Sequence, residues 1–222
     1  MDHHFLSGTS FFSGLNENEI NSILSCLETR EKSFKKGAVI FNPGESIDVI
    51  GLVTRGSVNI ISSLYWGKSS IVKQVAAGNI FGGEYAAIPR QKLLYEISAA
   101  SDCSVLFIDF KKLTEVCKNV CPFHQILIQN YLRVTAQSTL DLSSRAVHTA
   151  SKSTRERLMS YFSEQAKISG SVYFTIPFSR QELADYLGVE RSALSNTLSK
   201  MQKDGLIQYH KNEFKLLKGS RK

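Results

Sequence analysis

Two short amphipathic segments separated by a glycine occupy residues 178–207, which read FSRQELADYLGVERSALSNTLSKMQKDGLI. Ser179 and Glu182 have the S-x-x-E spacing of a capping box, so a helix is expected to begin directly after the serine. Gly188 can adopt the left-handed conformation that ends such a helix and lets the chain turn sharply. A second helix follows, and Gly205 marks its end. Two short helices joined by a glycine-containing turn of about four residues predict a helix-turn-helix.

The second of these helices has an unusual polar face. Its apolar residues are spaced by four and three positions, whereas the opposite face carries hydroxyl and amide side chains. Short side chains let a helix enter a major groove about 12 Å wide, where arginine can pair with guanine and asparagine with adenine. We interpret this face as a reader of duplex DNA; the alternative is an ordinary solvated helix pair. The predicted DNA-binding residues are Arg180 and Gln181, placed to cross the DNA backbone, and Arg191, Ser192, Ser195, Asn196, Ser199 and Lys200 on the second helix.

The net charge of +7 is concentrated around the same segment. Residues 1–150 hold 14 basic and 13 acidic side chains, whereas residues 151–222 hold 13 basic and 7 acidic ones. This asymmetry favours a polyanionic partner for the last third of the chain, although a basic segment can also serve solubility alone.

The region from residue 34 to residue 110 has a different character. Short runs of β-branched and aromatic residues alternate there with glycine turns, which predicts an all-β sandwich or barrel. One turn is expected at residues 66–68. The pattern predicts a short helix over residues 15–27 before this region and another over 111–118 after it.

A long helix is predicted from Pro122 to about Val147, because proline is tolerated in a first turn and no glycine interrupts the run. It carries two apolar stripes and therefore needs two partners. We expect the β domain to cover one stripe and the same helix of a second subunit to cover the other; a helix sandwiched inside one subunit is the alternative. Residues 148–153 are predicted to be a hinge, followed by a helix over 154–167 and an extended segment over 172–178. A β-hairpin is predicted around Lys211-Asn212.

The segment 178–207 closely resembles the helix-turn-helix of the Crp/Fnr family of bacterial transcription regulators, and KKGAVIFNPGESIDVIGLVTRGSVNI resembles the effector-binding β-roll of that family. The resemblance implies an α+β fold: a cyclic-nucleotide-binding-like β-roll (double-stranded jelly roll), a long dimerisation helix and a C-terminal winged helix-turn-helix. The implied domains are 1–120 for sensing, 121–150 for the helix and hinge, and 151–222 for DNA binding. The implied function is that of a cytoplasmic homodimer that is not an enzyme, binds a near-palindromic site and works with RNA polymerase.

AAGNIFGGEYAAI resembles the phosphate-binding segment of the family, which implies that Gly82, Gly83 and Glu84 take part in effector binding. Members that bind cyclic nucleotides follow this segment with an Arg-Ser or Arg-Thr pair, and the matching positions here are about Leu93 and Leu94. A phosphate in a dry pocket without a cation is poorly compensated, so we expect an effector other than cyclic AMP. The remaining candidate effector-binding residues are Arg90, Lys92, Ser138 and Thr139.

Two alternatives stay open: a cyclic-AMP-dependent regulator in which Arg90 or Lys92 is a displaced cation, and a cyclic-nucleotide-responsive interaction module.

No cofactor is expected, because the cysteines do not match the iron–sulfur ligand set of the oxygen-sensing members. Cys117, Cys121 and His124 would share a helix face, which fits a metal or redox site as well as a set of buried side chains. We expect no membrane span and no secretory signal.

Overall fold

The structure is a computed structural model that describes residues 2–63, 67, 69–115 and 122–217. The helices are α1 (His3–Ser7), α2 (Glu17–Cys26), α3 (Gly83–Ala86), α4 (Phe110–Thr114), α5 (Pro122–Thr149), α6 (Thr154–Ser169), α7 (Arg180–Leu187) and α8 (Arg191–Lys203). The strands are β1 (Arg30–Phe34), β2 (Val39–Phe41), β3 (Val49–Arg55), β4 (Ser57–Ser63), β5 (Ser69–Ala76), β6 (Ile80–Phe81), β7 (Glu96–Ala99), β8 (Cys103–Asp109), β9 (Tyr173–Thr175), β10 (Ile207–His210) and β11 (Glu213–Leu216).

The chain forms two compact units, with the boundary between Ala136 and Gln137 inside α5. The division into a sensing domain, a separate helix and a DNA-binding domain stays a prediction. In the described parts of the chain, no helix is long and apolar enough to cross a membrane.

The first unit contains two four-stranded antiparallel sheets, in the orders β1-β8-β3-β6 and β2-β7-β4-β5. Alternate residues of both sheets point inward and form one apolar core, which includes Val53 and Val105 from one sheet and Val58 and Ile97 from the other. This arrangement confirms the predicted β-roll. Strands β4 and β5 pair antiparallel, and of the turn predicted between them only Gly67 lies within the described residues.

A second core of the first unit lies between the helices and the β1-β8-β3-β6 sheet. α2 contributes Ile20 and Ile23, and the first half of α5 contributes Leu127 and Tyr131. The predicted leading helix and the predicted long helix are therefore both confirmed. The helix expected over 111–118 occupies Phe110–Thr114 and ends at Glu115, which is extended, while residues 116–118 lie outside the described residues.

The second unit is a winged helix-turn-helix. α6, α7 and α8 pack on a three-stranded antiparallel sheet with the order β10-β11-β9, and their apolar faces share one core that includes Phe162, Leu183, Leu194 and Phe214. The hairpin of β10 and β11 turns at Lys211, whose φ of 50° is left-handed.

The predicted hinge over residues 148–153 is too long. His148 and Thr149 belong to the last turn of α5, and the non-helical connection is confined to residues 150–153. The reason is that His148 is 2% exposed and bonded to α6 and α7, so a residue that looks like part of a small polar linker is fixed inside the second unit.

Candidate nucleic-acid interface and effector domain

The first helix of the helix-turn-helix is fixed at both ends by local interactions. The Ser179 backbone N–H donates to Oε2 of Glu182 at 2.7 Å, and the Glu182 N–H donates back to the serine hydroxyl at 3.3 Å. Hydrogen bonds from the Ser179 backbone and side chain hold the pKa of Glu182 below its ordinary value because they favour the carboxylate. Gly188 ends the helix with a φ of 64°. The predicted capping box and left-handed glycine are both present.

The turn that follows is held by two arginines from outside the motif. Arg145 on α5 donates to the carbonyls of Asp185 and Tyr186, at 3.1 and 2.9 Å. Arg157 on α6 donates to the carbonyl of Leu187 at 2.8 Å. The last carbonyls of a helix lack their full set of hydrogen bonds within it, so the two guanidinium groups supply donors there. Their positive charge is also attracted to the negative end of the helix dipole. Neither arginine was predicted as functional, since nothing in a motif identifies contacts between residues 30 to 41 positions apart.

The second helix, α8, separates its apolar and polar faces as predicted. Leu194, Leu198 and Met201 are fully buried in the core of the second unit. The polar residues predicted to contact DNA all lie on the exposed side, so the helix presents a surface without long carboxylate side chains. These residues are Arg191, Ser192, Ser195, Asn196, Ser199 and Lys200. Ser199 bonds back to the carbonyl of Ser195 at 3.1 Å, which leaves the hydroxyl oxygen as an acceptor.

The two residues predicted to cross the DNA backbone have different surroundings. Gln181 is exposed and bonds to Asp185 one turn later at 2.9 Å. Arg180 is only partly exposed: its guanidinium lies 5.1 Å from the ring centre of Tyr209 and 5.3 Å from that of Phe214. One nitrogen donates to the carbonyl of Lys211 at 2.5 Å, and the other terminal nitrogen is buried. The partners of Arg180 therefore lie in the hairpin of β10 and β11, which is the wing.

The predicted effector residues lie in both units. Gly82 adopts a φ of 78° and precedes α3, and Gly83 touches Tyr131 of α5 so closely that a Cβ would lie 2.8 Å from the tyrosine oxygen. Glu84 is exposed in the first turn of α3. Ser138 and Thr139 lie on the part of α5 that belongs to the second unit, and Ser138 is partly buried whereas Thr139 is exposed.

The positions predicted to match the family's Arg-Ser pair, about Leu93 and Leu94, have no charge. Leu93 is 2% exposed and packs in the core between the two sheets, while Leu94 points outward with 68% exposure. Arg90 and Lys92 are both exposed. The apolar cluster between the sheets consists of aliphatic, aromatic and cysteine side chains, and the polar Ser98 of β7 is also buried.

The predicted metal or redox face cannot be followed completely, because Cys117 and Cys121 lie outside the described residues. His124 is 5% exposed in α5. The described residues contain no group of three or more potential metal ligands.

Comparison with known proteins connects the two units with known domains. The cyclic nucleotide-binding domain matches residues 31–120, and the Crp-like helix-turn-helix domain matches residues 156–219. A probable transcriptional regulator (flp) of Lacticaseibacillus casei is 24% identical over 220 residues, which cover 98% of this chain and 95% of the relative. Electron transport regulator A of Shewanella oneidensis is 24% identical over 199 residues, or 87% of this chain and 77% of the relative.

Solved structures agree with these matches at the level of the fold. The c-di-GMP-responsive global regulator CLP of Xanthomonas campestris superposes with a TM-score of 0.57 at 19% identity, and covers 91% of this chain and 100% of its own. A CooA mutant from Carboxydothermus hydrogenoformans superposes with a TM-score of 0.56 at 20% identity, covering 86% of this chain and 85% of its own. The chain combines a cyclic nucleotide-binding domain, a long helix and a Crp-like helix-turn-helix, and a transcriptional regulator matches almost its whole length. These matches show that this protein belongs to the Crp/Fnr family of transcription regulators.

Proposed function

We propose that the protein regulates transcription as a cytoplasmic homodimer that binds a near-palindromic DNA site through α8 and the wing and responds to an effector other than cyclic AMP. Its partners are then duplex DNA, a second copy of the chain and RNA polymerase, and it has no catalytic role. The observation that carries the DNA-reading part is the exposed face of α8, where short polar side chains surround Asn196 and Arg191 leads the helix.

The surface of α5 supports the dimer. The stripe that includes Leu127 and Tyr131 is buried in the first unit, whereas Leu132, Leu140 and Val147 are each at least 60% exposed. These three apolar side chains lie along one side of the helix, since their positions fall within about 80° of one another when each residue turns 100°, and we call this side the seam. A second copy of the same helix fits such a seam, because both faces are then apolar and of equal length.

The test begins with duplexes selected from random sequence by the wild-type protein. A near-palindrome should emerge, and its affinity should fall by about 10³ to 10⁵ between 50 and 200 mM salt if six to ten phosphates are contacted. Arg191→Ala should relax base choice at one position of each half-site, at a cost of about 1–3 kcal/mol per lost paired contact.

Asn21→Ala on α2, an exposed substitution in the other unit, is the control and should bind like the wild type. Selection of no common sequence, or full sequence preference in Arg191→Ala, would overturn the assignment of α8 as the reading helix.

A further inference from the structure

Four side chains from three helices meet where the end of α5 adjoins the helix-turn-helix: Arg145 and His148 from α5, Glu164 from α6 and Tyr186 from α7. We refer to these four residues as the α5–α7 joint. The His148 side chain is 3% exposed, its Nε2 lies 2.6 Å from Oε2 of Glu164, and its Nδ1 lies 2.9 Å from the Tyr186 hydroxyl. All four residues belong to the second unit.

The chemistry of the joint fixes the hydrogen positions when the imidazole is neutral. A carboxylate only accepts, so Nε2 of His148 carries the proton and Nδ1 accepts from the hydroxyl of Tyr186. Burial raises the pKa of Tyr186, which keeps the hydroxyl a donor. The second oxygen of Glu164 accepts from the Ser144 hydroxyl at 2.8 Å. Side chains of α5 thus engage both carboxylate oxygens of Glu164.

Arg145 connects α5 with the backbone of α7. It donates to the carbonyls of Asp185 and Tyr186, and its guanidinium lies 5.7 Å from the ring centre of Tyr186. Tyr161 of α6 completes the packing, with its ring centre 5.4 Å from that of His148 and 5.5 Å from that of Tyr186. The end of α5 is therefore bonded to the backbone of α7 as well as to its side chains. The His148 side chain is buried, so leaving its ring nitrogens without these partners would be costly.

We propose that the α5–α7 joint positions the helix-turn-helix on the end of α5, so that the last two turns of α5 move with it as one body. In the homodimer proposed above, on which this inference rests, the joint then sets the distance between the two recognition helices. A near-palindrome must match that distance, since successive major grooves on one side of the duplex are about 34 Å apart. The residues of the joint are positioning residues: they act on DNA through α8.

The test uses the full-length protein with Tyr186→Phe, which removes one hydroxyl and keeps the ring, and with Arg145→Gln, which removes the two backbone contacts. Tyr173→Phe, on the exposed edge strand β9, is the matched control. The first readout is amide hydrogen exchange over residues 143–149 without DNA. We expect it to be about tenfold faster in both joint variants, as for a locally loosened helix end, and unchanged in the control.

The second readout is binding to the selected duplex with its half-sites moved one base pair closer or farther apart. We expect the wild type and Tyr173→Phe to bind the native spacing at least about tenfold more tightly, and the joint variants to discriminate by less than about threefold. The salt dependence of binding should be the same in all four proteins, because no phosphate contact is removed.

Both readouts can contradict the inference. Unchanged exchange in both joint variants would show that the joint does not hold the end of α5, and faster exchange with full spacing discrimination would show that it does not position α8. Either result overturns the inference. Failure of the dimer proposal looks different: the wild type itself would bind all spacings equally, and the positioning role would fall with it.

Discussion

Arg180 opens α7, but its guanidinium is held by the wing, between Tyr209 and Phe214 and against the carbonyl of Lys211. Burial lowers the pKa of this guanidinium, which is the signature of a partly desolvated cation. We expect Arg180→Gln to weaken DNA binding by releasing the wing tip, while the slope of log affinity against log salt concentration stays unchanged. Lys200→Gln on α8 is the comparison, and it should reduce that slope by about 1 if it removes a phosphate contact. A reduced slope in Arg180→Gln would instead place Arg180 on the DNA backbone.

Tyr131 of α5 leaves no room for a side chain at Gly83. A Cβ at this position would lie 2.8 Å from the tyrosine oxygen and 2.9 Å from a ring carbon, and the neighbouring atoms belong to a buried side chain that cannot move freely. Gly83→Ala should therefore lower the free energy of unfolding by about 1–3 kcal/mol, as other overpacked substitutions do. Gly8→Ala, where the nearest atom would be 3.5 Å away, should cost much less. Urea denaturation of both variants measures the difference, and equal losses would contradict this explanation.

The residues that could be predicted from the sequence are those whose role depends on near neighbours. Ser179, Glu182 and Gly188 act within one helix and its cap, so their spacing is sufficient. Arg145 and Arg180 were different, because their partners lie 40 or 41 and 31 positions away and are chosen by tertiary packing. The position of an arginine in a motif therefore did not reveal what its guanidinium contacts.

The same distinction holds for whole elements. The long run of α5 and the paired helices α7 and α8 were predictable, because each repeats its apolar residues over several turns. α1 was not predicted, since five residues with an Asp2 cap are too short to show a period. The end of α5 was placed too early because Ser, Thr and Ala around His148 look like a linker, while the burial of the histidine depends on α6 and α7.

The exposed stripe of α5 gives a prediction at the level of the element. Leu140 is 62% exposed on this helix, so Leu140→Glu should leave the fold intact but place a charge in the proposed seam. We expect the variant to be a monomer at concentrations where the wild type is a dimer, and to lose most of its affinity for the selected duplex. Ile71→Glu is the control, because Ile71 is an aliphatic residue of nearly equal exposure, 61%, on strand β5 of the β-roll. Sedimentation equilibrium measures both; a dimeric Leu140→Glu would place the interface elsewhere.

In the whole molecule, the excess basic charge lies in the second unit, whereas most of the residues predicted to bind the effector lie in the first. The first 150 residues are nearly neutral, and the excess of basic residues lies in the part that carries the helix-turn-helix. This division was visible in the sequence, because charge can be counted without knowing the fold. The chemical class of the effector could not be predicted from the sequence, since it depends on which side chains line the interior of the β-roll and on whether any of them can balance the charge of a bound ligand.

That interior leads to the prediction for cyclic AMP. The cyclic phosphate is an anion, and Leu93, the position predicted to match the family's arginine, is buried among apolar side chains. We therefore expect calorimetry of the full-length protein with cyclic AMP to show no saturable heat at micromolar ligand, because desolvating the phosphate there is not repaid by a cation. Arg90→Gln and Lys92→Gln separate the alternatives, since both side chains are exposed in the structure. Single-site micromolar binding that disappears in either variant would mean that the exposed cation moves onto the phosphate, and that the protein is a cyclic-AMP-dependent regulator with a displaced anchor.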